Sequence, residues 1–204
     1  MTDREAHWQG VYQTKEETAV SWFQEVPETS VRLIRAADMG PDARIIDVGG
    51  GASRLVDALI EVGFTRVAVL DIAEAALAKT RNRLGERAAR VQWLAADITR
   101  WTQPGQFDIW HDRAVFHFLT EPSDRAAYAS VMAEAVATGG QAIIATFAVD
   151  GPEMCSGLPV RRYDADNLAA QFAPHFRMLD HETESHRTPS GKLQRFQFCR
   201  LARI

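Results

Sequence analysis

Short apolar segments alternate with amphipathic segments along most of this chain, and the alternation limits its fold more than any other feature. Strands are predicted over Arg44–Val48, Thr65–Leu70, Val91–Ala95, Phe107–His111 and Gln141–Phe147. Helices are predicted over Val31–Ala37 after a Ser30 cap, from Ser53 to about Gly63, over Ala73–Leu84 and over Arg125–Val136. Strands that alternate with helices are typical of an α/β fold built on a parallel sheet.

The end of the chain departs from this alternation. Two extended runs, Arg177–His186 and Leu193–Leu201, flank a turn that contains proline and glycine, and they are predicted to pair as a β-hairpin. The chain has 204 residues, and domains run roughly 100–200 residues. We therefore expect one domain over residues 1–204, with an aromatic, helical segment over residues 1–40 and the core over residues 41–204.

The composition narrows the class of protein. The 23 basic and 27 acidic residues give a net charge of −4, which argues against a dedicated nucleic-acid binder. No apolar stretch approaches the ~20 residues of a membrane helix, and the polar start of the chain predicts no secretory signal. The 2 cysteines cannot make a four-thiolate metal site. We expect a cytoplasmic protein with no membrane association; the oligomeric state stays open.

A glycine-rich turn joins the first predicted strand to the helix after it, with the sequence Asp47-Val48-Gly49-Gly50-Gly51-Ala52-Ser53. Glycines at such a turn allow positive φ angles and let a ligand approach the backbone closely. In doubly wound sheets, ligands bind at turns of this kind. A tight turn with a purely structural role would carry the same residues.

Acidic residues end the next two strands. Asp71 lies about 20 residues beyond the glycines, where an acid can accept hydrogen bonds from both hydroxyls of a ribose. Asp97, followed by Ile98, could contact the edge of an adenine. Either acid could instead cap the structure that follows it. Suitable groups at three strand ends favour a nucleoside ligand.

The position of Arg54 helps to choose among nucleoside cofactors. A dinucleotide-binding turn has a third glycine there, which allows close packing of the helix and places the pyrophosphate at its N-terminus. A bulky arginine disfavours that class. It does not conflict with a cofactor that lacks phosphates.

The ordered motifs together resemble class I S-adenosylmethionine-dependent methyltransferases. They are the glycine turn from Asp47 to Ser53, Asp71, Asp97, the segment from Phe107 to Leu119 and the run from Gly139 to Phe147. The resemblance extends from about Arg44 to the C-terminus. One departure is Ser53, which stands where the family's loop has its third glycine.

This resemblance implies a Rossmann-like three-layer α/β/α sandwich with a seven-stranded, mostly parallel sheet whose last strand is antiparallel. It implies S-adenosyl-L-methionine as the cofactor and S-adenosyl-L-homocysteine as the product. The cofactor-binding residues that it implies are Trp8, Tyr12, Trp22, Asp47, Gly49, Gly50, Gly51, Asp71, Ile72, Asp97, Ile98 and His111. No metal is expected, because the histidines show no metal-ligand spacing with nearby acids.

Two branches of the family are resembled more closely. The run from Trp110 to Ala114 and the segment from Pro122 to Tyr128 are similar to thiopurine-type S-methyltransferases. The aromatic front of the chain and the pair Asp112-Arg113 are similar to methyltransferases that modify protein lysines. A small-molecule acceptor with a thiol or other soft nucleophile is slightly preferred to a protein lysine. A dinucleotide-dependent oxidoreductase and a non-catalytic cofactor binder are the alternatives from other classes.

Candidate catalytic residues end the fourth strand. Histidine is the side chain suited to proton transfer near neutral pH, so His111 could take a proton from the acceptor, with Asp112 beside it. Arg113 could orient an anionic acceptor or pair with an acid such as Asp112. His111 and Asp112 could instead only shape the cofactor pocket. In contrast, His117 is predicted to be a core histidine, and Cys155 is predicted to be an unreactive thiol.

The first 40 residues hold three aromatic side chains of interest, Trp8, Tyr12 and Trp22. They could pack this segment on the sheet. They could also close over a ligand at the strand ends, because aromatic rings exclude water and contact cations.

Overall fold

The structure is a computed structural model that describes residues 2–102 and 105–204. Its α-helices are α1 (Asp3–Thr14), α2 (Glu28–Arg35), α3 (Leu55–Glu61), α4 (Glu74–Leu84), α5 (Pro122–Ala135) and α6 (Ala165–Ala170). Its strands are β1 (Arg44–Val48), β2 (Arg66–Asp71), β3 (Val91–Ala95), β4 (Phe107–Arg113), β5 (Val136–Phe147), β6 (Met154–Cys155), β7 (Leu158–Pro159), β8 (Phe176–Arg187) and β9 (Leu193–Arg203). Short 3-10 segments cover Glu17–Ala19, Gly85–Arg90, Ile98–Arg100 and Phe116–Phe118.

Seven of these strands form one sheet in the order β3-β2-β1-β4-β5-β9-β8. β1 to β5 pair in parallel where they adjoin, whereas β9 runs antiparallel to both β5 and β8. The expected fold is therefore confirmed, including the terminal hairpin and the antiparallel last strand. β6 and β7 pair separately as a two-stranded ribbon after β5.

Apolar side chains cover both faces of the sheet and make the three layers. On one face, α5 and α6 bury Tyr128, Met132 and Leu168 against Trp110 of β4. The opposite face carries α2, α3 and α4, whose apolar residues join a cluster around Ile45 of β1. Because β1 and β4 are covered on both faces, most of their side chains are buried, including polar ones.

Several boundaries differ from the sequence-based expectation, and β5 begins at Val136 rather than at Gln141. Helix α2 begins at Glu28 after Pro27, so Ser30 lies inside the helix and its side chain is free to bond elsewhere. β4 continues two residues beyond His111. Helix α5 begins at Pro122, since proline is already set for the first helical position, and it ends before Val136.

A buried hydrogen-bonded trio fixes the end of β4 against α5. The hydroxyl of Tyr128 donates to Asp112 Oδ2 at 2.5 Å and accepts from Trp110 Nε1 at 2.9 Å. All three side chains are fully buried. Buried polar groups are stable only when they are paired, so the trio determines where α5 lies on the sheet.

Replacing Tyr128 with phenylalanine tests this trio. The change leaves the Trp110 indole N–H and one Asp112 oxygen without this partner, so the free energy of unfolding should fall by about 1–3 kcal/mol. Urea unfolding measures it. Tyr163→Phe is the matched control, because Tyr163 is also buried and packs against Phe116, but its hydroxyl takes no part in the trio. Equal losses in both variants would contradict the role given to Tyr128.

Candidate functional site

A cavity lies at the carboxyl ends of the parallel strands, where α/β proteins bind ligands. We call it the first cavity. Its walls come from α1, from the strand ends and from β6, through Arg4, Trp8, Tyr12, Trp22, Val48, Gly49, Leu70, Asp71, Ile72, Ala96, Asp97, Ile98, Arg113, Ala114, Val115, Phe118, Leu119 and Cys155. Most of these side chains are apolar, and the charged ones are few.

Asp71 ends β2 at the wall of the first cavity. Its Oδ2 accepts from Gly51 N at 3.1 Å, and its Oδ1 accepts from Ala73 N at 2.8 Å. Burial raises the pKa of Asp71 to about 6, and the backbone N–H groups oppose that rise. Helix α4 begins after Ala73, so Asp71 is not its N-cap. The carboxylate instead joins the glycine turn to the end of β2.

Asp97 follows β3 and bonds locally. Its Oδ1 accepts from Thr99 N at 3.0 Å and from Thr99 Oγ1 at 2.7 Å, so it caps the 3-10 segment after it. Arg4 of α1 lies 3.8 Å from Asp97 and also pairs with Asp124 in α5. The capping interpretation is confirmed, and a contact of Asp97 with a ligand stays a prediction.

A second cavity adjoins the first and shares Trp22, Val48, Gly49 and Arg113 with it. It lies between the glycine turn and the segment before α2, and its lining is Val20, Trp22, Phe23, Gln24, Pro27, Ser30, Asp47, Val48, Gly49, Gly50, Ala52, Ser53, Arg54, Leu55, His111 and Arg113. Three polar atoms of this lining are buried without a hydrogen-bond partner among the described residues. They are Asp47 Oδ2, Arg54 Nε and Arg113 Nε.

None of the three glycines of the turn has space for a side chain, and a Cβ added to Gly50 would lie 2.1 Å from Asp47 Oδ2. A Cβ added to Gly49, whose φ is +72°, would lie 2.0 Å from the Val115 side chain. A Cβ added to Gly51 would lie 2.6 Å from Asp71 Oδ2. The turn therefore requires glycine for packing, and Gly49 at the same time lines both cavities.

His111 is buried and both of its ring nitrogens are engaged. Nδ1 lies 2.7 Å from Asp47 Oδ1, and Nε2 lies 2.9 Å from Ser30 Oγ. The ring lines the second cavity and is not part of the first. This arrangement suits a residue that links β1, β4 and α2, and a role for His111 as a base stays a prediction.

Asp112 lies behind the cavity walls. Besides the Tyr128 hydroxyl, it accepts from Val115 N at 2.8 Å and from Phe116 N at 3.1 Å. Burial raises the pKa of Asp112 to about 6, against the lowering effect of these donors. Its observed contacts hold the chain as it leaves β4.

Arg113 extends from the end of β4 to the boundary between the cavities. Its guanidinium donates to Trp22 O at 3.0 Å and to Glu184 Oε1 at 3.3 Å. The sequence left two roles open for Arg113, contact with an anionic acceptor or pairing with an acid such as Asp112. In the structure Arg113 pairs with an acid, and that acid is Glu184 of β8. Burial lowers the pKa of Arg113, and Glu184 opposes that effect.

The aromatic side chains of the first 40 residues form one wall of the first cavity. The Trp8 ring centroid lies 5.9 Å from that of Trp22, 6.2 Å from that of Tyr12 and 5.0 Å from that of Phe118. Such spacing is typical of packed aromatic rings. Both suggested roles are compatible with this geometry, since the rings pack on the core and also line the cavity.

Cys155 and His117 are both held in their uncharged forms by burial. Burial raises the pKa of the Cys155 thiol to about 11, so the thiol is neutral and a poor nucleophile. Burial lowers the pKa of His117 to about 3. That ring is fully buried between Phe118 and Phe147, as expected of a core histidine.

The structure brings most of the sequence-predicted residues to one of the two cavities, while Gly51 and Asp112 support the walls from behind. Arg4 and Phe118 line the first cavity and were not singled out from the sequence. Arg4 precedes Trp8 and Tyr12 at intervals of four, so helical periodicity could have found it. Phe118 carries no comparable signal.

Within residues 2–102 and 105–204, no three His, Cys, Asp or Glu side chains are grouped to hold a metal ion. No described helix is long and apolar enough to cross a membrane.

Comparison with known proteins adds a sequence match and a fold match. Residues 45–140 match the sequence profile of a family described as a methyltransferase domain. The eEF1A lysine and N-terminal methyltransferase of Danio rerio is 23% identical over 146 residues, which is 70% of this chain. The match spans only 21% of that relative's own length.

Solved structures with low sequence identity share the fold. One, from work on the conversion of a disulfide bond into a thioacetal group during echinomycin biosynthesis, has a TM-score of 0.80 at 19% identity and covers 98% of this chain and 92% of its own. The N-methyltransferase NodS from Bradyrhizobium japonicum, solved with S-adenosyl-L-homocysteine, has a TM-score of 0.75 at 14% identity, with coverages of 98% and 99%. Residues 45–140, just under half of the chain, are thus similar in sequence to the methyltransferase-domain family, and the two solved structures share the fold of nearly the whole chain.

Proposed function

We propose that this chain is an S-adenosylmethionine-dependent methyltransferase, and that its two adjoining cavities bind the two halves of the cofactor. One observation carries this proposal: a cavity with acids at two strand ends adjoins a cavity with unpaired acidic and basic atoms. A nucleoside suits the first set of groups, and an amino acid suits the second. The family match over residues 45–140 supports the same cofactor.

The amino-acid part of the cofactor fits the second cavity by charge. Asp47 Oδ2 can accept from an ammonium group, while Arg113 Nε and Arg54 Nε can donate to a carboxylate. Without such partners these buried atoms are costly to the fold. Arg54, which disfavours a dinucleotide, is compatible with this ligand, because the methionine part of the cofactor carries no phosphate.

The nucleoside part fits the first cavity. The Asp71 carboxylate can accept from ribose hydroxyls, and Ile72 and Ile98 offer apolar contact to adenine beside Asp97. The aromatic wall of Trp8, Tyr12 and Trp22 excludes water there. When bound, S-adenosylmethionine supplies a methyl group already activated on a sulfonium, so the chain's residues need chiefly to align the acceptor.

On this proposal the acceptor shares the first cavity with the nucleoside, and the lining suits best a small molecule with a thiol or another soft nucleophile. Arg4 and Arg113 are both paired with carboxylates, and the Asp71 carboxylate is bonded to the backbone. Among the described residues of this lining, no free base is placed to deprotonate an amine or an alcohol. A thiol ionises in water with a pKa near ~8.5 and needs little help.

On this proposal, His111, Asp112 and Arg113 act by positioning. His111 orients Asp47 toward the second cavity, Asp112 holds the exit of β4, and Arg113 holds the Trp22 backbone. The solved structure from the work on echinomycin biosynthesis, which superposes on 98% of this chain, also concerns chemistry at sulfur. Neither a nucleic acid nor a membrane is part of the proposal.

Methylation of a protein lysine is the second candidate, and the eEF1A-modifying relative favours it. Against it, Arg4, Trp8 and Tyr12 of α1 form one wall of the first cavity, and a lysine on a folded protein would have to enter past them. A lysine ammonium would also need to lose a proton, for which the described lining offers no free base. The two candidates therefore differ in both access and proton chemistry.

The Asp71→Asn variant tests the cofactor site. Because ribose hydroxyls donate better to a carboxylate than to an amide, the dissociation constant for S-adenosyl-L-homocysteine should rise about 10–100-fold. Calorimetry measures it. Asp42→Asn, at an exposed turn acid that accepts from Thr65 Oγ1, is the control and should bind normally. Absence of binding by the wild type would refute the proposed function.

The pH dependence of the same binding reports on the Asp71 carboxylate. Burial raises the pKa of Asp71 to about 6, so the group loses its charge as the pH falls through that value. Affinity for S-adenosyl-L-homocysteine should therefore weaken between pH 7.5 and 5. The asparagine variant cannot titrate there, and its affinity should change less. An identical pH profile in both proteins would exclude Asp71 as the group responsible.

A paired acceptor assay separates the two candidate functions. With tritium-labelled S-adenosylmethionine, label should move to thiophenol and much less to phenol, because only the thiol ionises readily near neutral pH. A cell lysate is assayed in parallel. Labelled protein bands without label on the thiol would favour the protein-lysine candidate and overturn the small-molecule one.

A further inference from the structure

The C-terminal hairpin of β8 and β9 contacts the segment that carries Trp22, at a distance of about 160 residues in sequence. Glu184 Oε1 of β8 accepts from Gln24 Nε2 at 3.1 Å and from the Arg113 guanidinium at 3.3 Å. Arg113 in turn donates to Trp22 O at 3.0 Å. One carboxylate therefore ties two points of the N-terminal segment to the end of β4.

Two more contacts reinforce this connection. The Arg113 guanidinium lies 4.2 Å from the centre of the Phe196 ring of β9, a distance typical of a cation–π contact. His186 Nε2 lies 2.8 Å from Ser21 O and can donate to it. The hairpin thus contacts residues 21–24 directly through Glu184 and His186 of β8, while Phe196 of β9 contacts Arg113, which holds the Trp22 carbonyl.

The central ion pair is shielded from solvent. The side chains of Arg113 and Glu184 are 9% and 15% exposed. Charges in such a place interact strongly, and removal of one leaves the other buried without a partner. The pair also lies where the two cavities meet, because Arg113 and Trp22 line both of them.

We propose that Glu184 is a positioning residue for cofactor binding, which acts through Arg113 and Gln24 to fix Trp22 at the junction of the two cavities. The inference rests on the proposed function, which assigns those cavities to the cofactor. Glu184 itself lines neither cavity. Its effect is therefore indirect: it neutralises the Arg113 guanidinium while leaving Nε free for a ligand.

The test compares Glu184→Gln with Glu182→Gln. Glu182 lies on the same strand and also accepts from an arginine, Arg32, but that pair is more exposed and lies away from both cavities. In the ligand-free protein, hydrogen exchange of residues 20–25 should become faster in Glu184→Gln only. The dissociation constant for S-adenosyl-L-homocysteine should rise about tenfold in the same variant, since a group at the ligand boundary loses a charged partner.

Gln24→Met is a milder second variant, which keeps the inference testable if Glu184→Gln fails to fold. It removes one hydrogen bond to Glu184 while the ion pair with Arg113 stays, so a smaller change in the same direction is expected. Thermal unfolding of each variant separates local from global effects. Unchanged exchange at residues 20–25 in Glu184→Gln and Gln24→Met would overturn the inference, as would equal effects in Glu182→Gln.

The two readouts distinguish this inference from the proposed function. If the wild type fails to bind S-adenosyl-L-homocysteine, the proposed function fails and cofactor positioning by Glu184 fails with it, while the exchange data still decide whether Glu184 orders the segment. If the wild type binds and Glu184→Gln binds equally well, only the positioning role of Glu184 is overturned.

Discussion

The hydrogen bond from Gly51 N to Asp71 Oδ2 holds together the edge at which both cavities are built. It joins the turn after β1 to the end of β2, and Thr80 of α4 donates to the carbonyl of the same glycine. The bond depends on a glycine at position 51, since a Cβ there would lie 2.6 Å from Asp71 Oδ2 and overlap with it. The turn that faces the second cavity is thereby fixed by the acid that faces the first.

Three buried acids end neighbouring strands at this edge, and each is stabilised in a different way. Asp47 bonds to His111, Asp71 to backbone N–H groups, and Asp112 to the Tyr128 hydroxyl and the backbone. Burying a carboxylate without such partners would be costly. Residues that resemble catalytic acids and bases in the sequence are thus already engaged in holding the edge.

The sequence predicted the sheet, the glycine turn and the acidic strand ends, because those features depend on local periodicity and on residues near one another in the chain. It could not predict that Ser30 bonds to His111 or that Arg113 pairs with Glu184. Such contacts join residues 71 to 81 positions apart, and local patterns do not contain them. The predicted start of α2 after Ser30 is wrong for a related reason: serine suits a helix cap, but here Ser30 lies inside the helix and its hydroxyl bonds to His111.

The same long-range pairing bears on how an acceptor would be chosen under the proposed function. Both arginines of the first cavity are paired with carboxylates from other elements, Arg4 with Asp97 and Asp124, and Arg113 with Glu184. An anionic acceptor would have to compete with those partners for either arginine. Selection would then fall to shape and apolar contact with the aromatic wall, where desolvation of an uncharged acceptor costs least. Under the proposed function, such a cavity would favour acceptors that become nucleophilic without a protein base, and this property separates thiols, which can lose their proton to water, from lysine side chains.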